Sequence, residues 1–544
     1  MGIQRISTSN PKKPWWNALA LNPSMVWVVI AAVLAIRIVW QVVSPYTLIE
    51  DEAHYWEWSR NLDWSYYSKG PGVAWTIWAS TSFLGHTEYA IRIPAALAAA
   101  FGALAVAKMT KDHFADQRLV FLSAVLYACV PGFAVAALVM TIDSPYIASW
   151  AFASFFALRA ILKASNKSWI YFGLWIAIGF IFKYTILLLL PGVLLAILVS
   201  RKHRPKISLR WLASGLLVSL LGLIPVLIWN ANHDWATVRH LLGHLGAPGG
   251  DTQQTAAYHA DPWTILWMLE YISLQMLVGG PVVLLAIFAF LNSRKHADDH
   301  TKLVVNVLIA TALPILVFYF FVSLVTQTEG NWAMGAFVTL IPAASWAVID
   351  GVERIDHPVK FAWGAALFFG VAILLLLPSA SWLAKQPVVG KYVPMYRMTG
   401  MREHAQDATQ IIEQLREETG LEPLVMSEHY GRASLLAFYL PNQPTVYTTS
   451  AQVGGRKTQY DMWTQTNLAD TNTLAPMLGR PGILFGGRPD QWTCAFDQLT
   501  DIGRLKGEPK ETKTTYIGYN FHAFDSWTPP KRLDDAYDTE QVIP

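Results

Sequence analysis

Long apolar segments alternate with short polar connections up to about residue 380 of this 544-residue chain. A helix needs about 20 predominantly apolar residues to cross the ~30 Å hydrocarbon core of a bilayer. Segments of roughly that length predict about eleven transmembrane helices, near residues 24–44, 88–108, 117–132, 144–162, 169–182, 186–200, 211–229, 264–291, 303–326, 332–349 and 361–378. This pattern indicates a mainly α-helical, polytopic membrane protein.

The connections between these segments differ in charge, and the difference predicts the orientation of the chain. With the N-terminus (residues 1–23) in the cytoplasm, nineteen Lys and Arg residues up to residue 378 fall on the cytoplasmic side. Five fall on the external side, namely Arg60, Lys69, Arg92, Lys183 and Arg239. Because cytoplasmic loops of membrane proteins are rich in Lys and Arg, we expect this orientation for the transmembrane domain at 24–379.

The external loop at 45–87 gathers acids and aromatic residues directly after the first span. It begins LIEDEAHYWEW and continues to YYSKGPGVAW. Two interpretations are open at this point: a loop whose charges are only solvated, or an active-site loop that acts on a substrate in the lipid. Residues 72–86 are apolar and Trp-rich but short, which favours an interfacial or re-entrant helix over a full span.

The composition changes after residue 380, where charged and polar residues return. The run AQDATQIIEQLREETG has helical apolar spacing, with Gly420 as its expected C-cap. Short apolar stretches at 423–426 and 445–447 flank a second helix candidate at 433–440, an alternation that predicts a small α/β domain at 380–528. An odd number of spans places this domain outside, in the periplasm, and a polar tail follows at 529–544.

The overall composition excludes several classes of protein. The chain is 53% hydrophobic and 15% charged, and its mean hydropathy is +0.31, too apolar for a soluble protein of this length. A net charge of +3 gives no indication of nucleic-acid binding. Two cysteines, Cys129 and Cys494, cannot form a disulfide framework or a cysteine-built zinc site.

Three carboxylates stand out on the predicted external face. Asp51 and Glu52 follow the first span, and Asp143 lies in MTIDSPY, a turn without Lys or Arg. Removing a carboxylate beside a membrane from water costs free energy, so such a group usually contacts water or a binding partner. A carboxylate in this position can also act as a general base. Because adjacent side chains point in different directions, we expect one of Asp51 and Glu52 to do chemistry and the other to orient a group. Asp143 has an equally open alternative, in which it only caps the 144–162 helix.

Cations accompany these acids. Lys69 lies in YYSKGPG, where Gly-Pro-Gly predicts a sharp bend that lets the backbone approach a ligand closely. An ammonium fixed there suits a phosphate or pyrophosphate group. Arg92 and Lys183 lie at external ends of spans and Arg37 lies inside the first span; the alternative for these three is that they snorkel to the membrane surface.

Aromatic residues cluster near the same charges, Tyr55 and Tyr67 among them. An interfacial aromatic belt accounts for many of them, but sugar rings also stack on aromatic faces, so both tyrosines are candidate substrate contacts. The loop at 230–263 holds His233, Asp234 and His240 without a tight ligand motif such as HExxH. We therefore assign no metal site, and the sequence leaves open whether a divalent metal assists.

Five pieces of sequence together resemble a known family. These are an Arg in the first span, DEAHYWEW, YYSKGPGVAW, AIRIPAAL and a second acid in MTIDSPY. In this order and spacing they look like the membrane glycosyltransferases of the GT-C fold, most of all the superfamily of protein O-mannosyltransferases and lipid A aminoarabinose transferases. The likeness covers residues 30–230 well and the remaining spans loosely.

The resemblance implies a sugar donor linked to polyprenyl (undecaprenyl) phosphate and inverting transfer at the periplasmic face of the bacterial inner membrane. Asp51 matches the first acid of the family's Asp-Glu pair, which implies a base or acceptor-orienting role, and Asp143 matches the second acid. Lys69 falls where the aminoarabinose transferases carry a lysine before paired prolines and the mannosyltransferases a histidine. Here Gly70 and Pro71 follow instead, a departure from the pattern.

The resulting assignments are Asp51 and Asp143 as catalytic residues, with Glu52, Tyr55, Tyr67, Lys69, Arg92 and Lys183 as substrate-binding residues. We expect the partners to be the donor lipid, an envelope lipid or glycan acceptor and membrane lipids, with no nucleic acid. The GRKTQYDMW stretch at 455–463 resembles uncharacterised bacterial members of the superfamily rather than either named type, and this leaves the acceptor undefined.

Two other functions remain as alternatives. In a non-catalytic lipid or oligosaccharide transporter the charged loop would be a gate, although ionisable groups are sparse inside the spans and a transport path usually places them near the midplane. An O-antigen ligase or polymerase would use a pyrophosphate-linked donor. The released lipid, a polyprenyl pyrophosphate or a polyprenyl phosphate, distinguishes this enzyme from a transferase that uses a polyprenyl-phosphate donor.

Overall fold

The computed structural model describes residues 22–244, 248–251, 265–376, 380–388, 395–508 and 513–524. Its helices are α1 (Met25–Val43), α2 (Glu50–Arg60), α3 (Gly72–Leu84), α4 (Glu88–His113), α5 (Gln117–Cys129), α6 (Pro131–Ala136), α7 (Asp143–Leu162), α8 (Ser168–Phe182), α9 (Leu189–Val199), α10 (Leu209–Ser219), α11 (Leu223–Asn232), α12 (Ala236–His244), α13 (Leu266–Gly279), α14 (Pro281–His296), α15 (Asp299–Val322), α16 (Gly335–Glu353), α17 (His357–Leu376), α18 (Ala380–Leu383), α19 (Met401–Thr419), α20 (Tyr430–Tyr439), α21 (Thr471–Leu474) and α22 (Pro489–Trp492). Short 3₁₀ helices lie at Tyr184–Leu188, Leu220–Gly222, Met395–Arg397, Ser450–Val453, Gln459–Asp461 and Ala475–Met477. The predicted cytoplasmic segment up to residue 21 and the predicted tail at 529–544 lie outside the described residues.

The described apolar helices match the hydrophobic pattern of the sequence. Seven are long and apolar enough to cross a membrane, or eight if the bent pair of α13 and α14 is one span. Three shorter apolar helices are α5, α8 and the Tyr184–Val199 helix that contains α9. Together these elements coincide with the eleven predicted segments, so the mainly α-helical, polytopic fold is confirmed. Helices α7 and α16 are the most enclosed.

One predicted span is not a single helix. The segment at 264–291 forms α13 and α14, which meet at an angle of 92°. Gly280 between them has a φ of +59°, and Pro281 is the first residue of α14. Proline cannot donate the backbone hydrogen bond that would continue α13, and glycine tolerates the left-handed conformation. The predicted span at 264–291 is therefore bent at Gly280 rather than a continuous helix.

The 45–87 loop forms two helices joined by a tight, aromatic connection. Helix α3 confirms the short helix expected at 72–86. In the connection, Tyr66 stacks on Trp58 of α2 with ring centroids 4.4 Å apart and donates a hydrogen bond to the Trp58 carbonyl at 3.0 Å. Trp56, Trp58 and Tyr66 are almost fully buried. These three aromatic residues form protein core rather than an interfacial belt.

The C-terminal α/β region, residues 395–508 and 513–524, contains a five-stranded sheet. Its strands are β1 (Leu424–Ser427), β2 (Tyr447–Thr448), β3 (Gly482–Phe485), β4 (Phe496–Gly503) and β5 (Thr515–Phe521), in the order β2-β1-β3-β5-β4. The pairs β1–β2 and β1–β3 are parallel, and β3–β5 and β4–β5 are antiparallel. Gly420 ends α19 with a φ of +68° and caps the Arg416 carbonyl, as its sequence position predicts.

The C-terminal α/β region is attached to the 45–87 loop through α20. The Tyr439 hydroxyl accepts a hydrogen bond from the Leu48 amide at 2.8 Å, and Phe438 packs edge-on against Trp56 at 4.9 Å. The amide of Tyr67 donates to Gln459 Oε1 at 2.6 Å. Helix α2 is therefore held between the membrane helices on one side and α20 on the other.

Gly70 contacts another helix rather than leaving space for a ligand. A Cβ atom at this position would overlap the backbone carbonyl of Ile181, near the end of α8. Its φ lies outside the left-handed region, so the glycine is needed for close approach and not for an unusual conformation. This contact fixes the backbone that carries Lys69 beside the end of α8, where Lys183 follows.

We predict that Gly70→Ala lowers the free energy of unfolding by about 1–3 kcal/mol, because an extra methyl group must displace backbone in a packed site. Thermal unfolding of the purified protein in detergent measures the effect. Gly364→Ala is the matched control, since a Cβ there meets no atom within 4 Å. Equal unfolding temperatures for the two variants would contradict this account of Gly70.

Candidate active site

Asp51 lies in the first turn of α2, on the side of the helix that is open to solvent. No described residue forms an ion pair with its carboxylate. Although its surface is accessible, the carboxyl group is surrounded by protein, and this burial raises the pKa of Asp51 above the usual aspartate value. Lys69 and Arg456 oppose this shift, whereas the charges of Glu50 and Asp143 add to it. A carboxylate that is unpaired, accessible and more basic than usual is suited to accept a proton.

Glu52, the next residue, points into the protein and is fully buried. Its carboxylate accepts hydrogen bonds from Arg92 Nε at 2.9 Å and Nη2 at 2.8 Å. It also accepts the backbone amides of Met140 at 2.9 Å and Ile49 at 3.1 Å. Arg92, itself buried, donates in addition to the carbonyls of Tyr46 and Thr47.

Both side chains are fully buried and bound to protein groups, so neither is accessible to a substrate. The expectation that they bind substrate directly is therefore not supported by their surroundings, and Arg92 does not snorkel to the surface. The pair instead connects α2 to α4 and to the segment before α7. Of the two adjacent acids, Asp51 is accessible and Glu52 is buried in an ion pair.

Asp143 begins α7 but does not cap it with its side chain. Its carboxylate accepts from Lys183 Nζ at 2.8 Å and from Asn331 Nδ2 at 2.8 Å, and both partners come from distant parts of the chain. The alternative in which Asp143 is only a helix cap is therefore wrong. Lys183 is paired rather than snorkelling, and its ammonium also lies 5.3 Å from the centre of the Tyr146 ring.

Lys69 is half-buried, and its ammonium has no ion-pair partner among the described residues. Burial lowers the pKa of Lys69, and the nearby charge of Lys183 lowers it further, while Asp51 and Asp143 act in the opposite direction. Asp51, Asp143 and Lys183 all act on the charge of Lys69, and Lys183 is bound to Asp143, so these four charged groups lie in one neighbourhood. An unpaired ammonium in such a place can hold an anion.

Tyr55 and Tyr67 border this site in different ways. Tyr55 lies one helical turn after Asp51, which places both side chains on one face of α2, and burial together with the Asp51 charge raises its pKa well above the usual value. The Tyr67 hydroxyl donates to Asp251 at 2.5 Å, and its ring lies 4.8 Å from that of His240. Only Tyr55 directly adjoins the candidate base.

Two contributors were not identified as site residues from the sequence. Asn331 shares Asp143 with Lys183. Arg456 of the C-terminal α/β region acts electrostatically on Asp51, Lys69 and Tyr67. No local motif marks either residue, because each enters the site through tertiary contacts.

Within the described ranges, no three His, Cys, Asp or Glu side chains are grouped so that they could hold a metal ion. His233 stacks on Trp229 at 4.1 Å and contacts its carbonyl. Arg37, 4% exposed, lines an apolar cavity of about 170 Å³ between α1, α5 and α17, separate from Asp51.

Comparison with known proteins agrees with this fold. The family model of the dolichyl-phosphate-mannose-protein mannosyltransferases matches residues 68–229. The lipid A galacturonosyltransferase RgtD of Rhizobium johnstonii is 28% identical over 344 residues, which are 62% of this chain and 69% of RgtD.

Crystal structures of ArnT from Cupriavidus metallidurans share the fold. The apo form and the form bound to undecaprenyl phosphate each superpose with a TM-score of 0.59 at 16% identity, over 90% of this chain and 97% of ArnT. These findings confirm that the chain is a multi-pass membrane glycosyltransferase with the GT-C fold.

We predict that Glu52→Gln destabilises the protein by about 3–5 kcal/mol, because it leaves the buried Arg92 charge without its counterion. Unfolding of the purified variant in detergent tests this. Glu422→Gln is a matched control, since Glu422 forms a similar two-bond pair with Arg416 on the surface and exposed pairs contribute little. If both substitutions lower the free energy of unfolding equally, the burial of the Glu52–Arg92 pair does not account for its contribution to stability.

A second prediction concerns the pH dependence of transfer. If Asp51 is the base, kcat/KM falls as the pH drops through its raised pKa. The charge of Glu50 helps to raise that pKa, so Glu50→Gln should lower it and move the acid limb of the profile to lower pH. Glu417→Gln, on the exposed face of α19, should leave the profile in place. A shift to higher pH with Glu50→Gln would exclude Asp51 as the titrating base.

Proposed function

We propose that this glycosyltransferase moves a sugar, with inversion, from polyprenyl (undecaprenyl) phosphate to a lipid of the cell envelope. The observation that carries the proposal is the presence of Asp51 and Lys69 in one site. Asp51 is accessible, and neither residue has an ion-pair partner among the described residues. The first can take a proton from an acceptor, and the second can hold a departing phosphate. Inverting transfer requires both kinds of group at opposite sides of the reacting carbon.

The donor class is supported by charge and by similarity. The charge of Lys183 acts on Lys69, and Lys183 is already neutralised by Asp143. One unpaired ammonium matches a lipid phosphate, whose charge grows when the sugar leaves. ArnT has been crystallised with undecaprenyl phosphate, which supports the same lipid here.

The acceptor is proposed from the relatives. RgtD is a transferase of lipid A, and an envelope lipid of that type fits a site bordered by membrane helices on one side and α20 on the other. In this proposal the protein lies in the bacterial inner membrane with a cytoplasmic N-terminus. The C-terminal α/β region and Asp51 then face the periplasm, where such lipids are modified.

In the proposed reaction Asp51 removes the proton of the acceptor hydroxyl while the acceptor oxygen bonds to the anomeric carbon. The bond from that carbon to the phosphate oxygen breaks, and the electron pair leaves with the phosphate. Lys69 stabilises the resulting charge. Asp143 is held by Lys183 and Asn331. In this reaction its negative charge contributes to the electrostatic field at the sugar.

We predict that Asp51→Asn reduces transfer by about 10²- to 10⁴-fold, the usual contribution of a general base. Membranes containing the protein receive labelled undecaprenyl-phosphate sugars and lipid A, and free undecaprenyl phosphate is measured. Asp299→Asn, an exposed acid at the start of α15, is the control, and accumulation of all variants is compared.

The released lipid also separates the alternatives. Undecaprenyl pyrophosphate as the product would indicate a ligase or polymerase. Consumption of no donor by well-folded wild-type protein would contradict the transferase proposal for this donor class. Full activity of Asp51→Asn would exclude Asp51 as the base.

A further inference from the structure

Arg456 is held at the edge of the C-terminal α/β region next to the candidate active site. Its carbonyl accepts a hydrogen bond from Ser450 Oγ at 3.1 Å, and the preceding Gly455 amide donates to the Ser450 carbonyl at 2.8 Å. Three residues later, Gln459 accepts the Tyr67 amide. The backbone around Arg456 is therefore tied both to its own region and to the loop that carries Lys69.

The side chain of Arg456 lies against α20, which packs on α2. Its guanidinium lies 4.9 Å from the centre of the Tyr430 ring, a cation–π arrangement that limits where the charge can go. The Tyr430 ring in turn lies 4.6 Å from that of His54 on α2. The same guanidinium opposes the upward pKa shift of Asp51 and lowers the pKa of Lys69.

Arg456 has no acidic partner within ion-pair distance among the described residues. Three basic side chains of the C-terminal α/β region do have one: Arg402 with Glu88, Arg432 with Glu508, and Lys513 with Glu428. Arg456 and Lys69 are thus two unpaired cations, one from each region, that repel each other across a partly buried site. A bound anion removes this cost.

The two cations have different surroundings. Lys69 shares its environment with Lys183 and Asp143, whereas Arg456 lies against Tyr430 and acts on Tyr67 and His54. Asp51 is affected by both. If Lys69 holds the departing phosphate of the donor, Arg456 is a second cation near Asp51 that can bind an anion of the acceptor.

We propose that Arg456 binds an anionic group of the acceptor lipid, a phosphate, and so makes the C-terminal α/β region part of the acceptor site. This inference rests on the proposed function. A guanidinium suits a phosphate because it offers paired donors in a planar fork. A carboxylate on the donor sugar is a second source of the same kind of anion, and the experiment separates the two.

The test uses purified full-length protein in detergent, undecaprenyl-phosphate sugar as the donor, and lipid A or fully dephosphorylated lipid A as the acceptor. Arg456→Ala should raise KM for lipid A by about 10- to 100-fold, the effect of losing a charge-assisted hydrogen bond. It should leave KM for the donor unchanged and reduce the preference for the phosphorylated acceptor. Arg456→Lys should recover part of the loss, and Arg416→Ala, on the exposed end of α19, should behave as wild type.

The outcomes are distinguishable from failure of the proposed function. A raised KM for the donor instead of the acceptor would assign the anion to the sugar and overturn the acceptor proposal. Unchanged KM values, or equal use of both lipid A forms by wild type, would overturn it as well. If wild type transfers no sugar, the proposed function fails. Thermal stabilisation by lipid A, present in wild type and lost in Arg456→Ala, then supports Arg456 as a lipid phosphate site, and equal stabilisation rejects it.

Discussion

The candidate active site depends on the buried ion pair between Glu52 and Arg92. Separating two charges from water is costly, and a buried pair is stable only when its geometry is good and its remaining hydrogen-bonding groups are satisfied. Here the guanidinium also binds the carbonyls of Tyr46 and Thr47, and the carboxylate also binds two backbone amides. This one pair thereby fixes the start of α2, the N-terminal part of α4 and the segment that leads to Asp143.

This constraint explains why two adjacent acids can have opposite roles. In the first turn of a helix, consecutive side chains diverge by about 100°, so burying Glu52 in the bundle directs Asp51 away from it. Asp51 then has no counterion among the residues that the structure describes, and burial raises its pKa. Asp143 differs because Lys183 and Asn331 already satisfy it. The site therefore keeps one acid available for proton transfer and holds the other in place.

The sequence predicted what depends on local pattern and missed what depends on distant contacts. Hydrophobic length located the membrane helices, because lipid imposes a uniform requirement on every span. The Gly280-Pro281 pair is a local signal for the break between α13 and α14, but averaging hydrophobicity over a window of apolar residues hides it. The roles of Glu52 and Asp143 could not be resolved, because their partners lie 40 or more residues away. Arg456 was beyond reach for the same reason, since only the folded chain brings it to α2.

The placement of α20 suggests why the C-terminal α/β region is needed at all. At Gly431 the helix approaches the first turn of α2 so closely that a Cβ atom would overlap the Glu50 side chain. His54 receives a hydrogen bond from Trp58 at Nε2, so its other nitrogen carries the proton and donates to Ser434 of α20. Both contacts are on faces of α2 that the membrane helices leave uncovered. Because α2 has too few residues to be stable alone, its orientation, and with it the field around Asp51, requires packing from both sides.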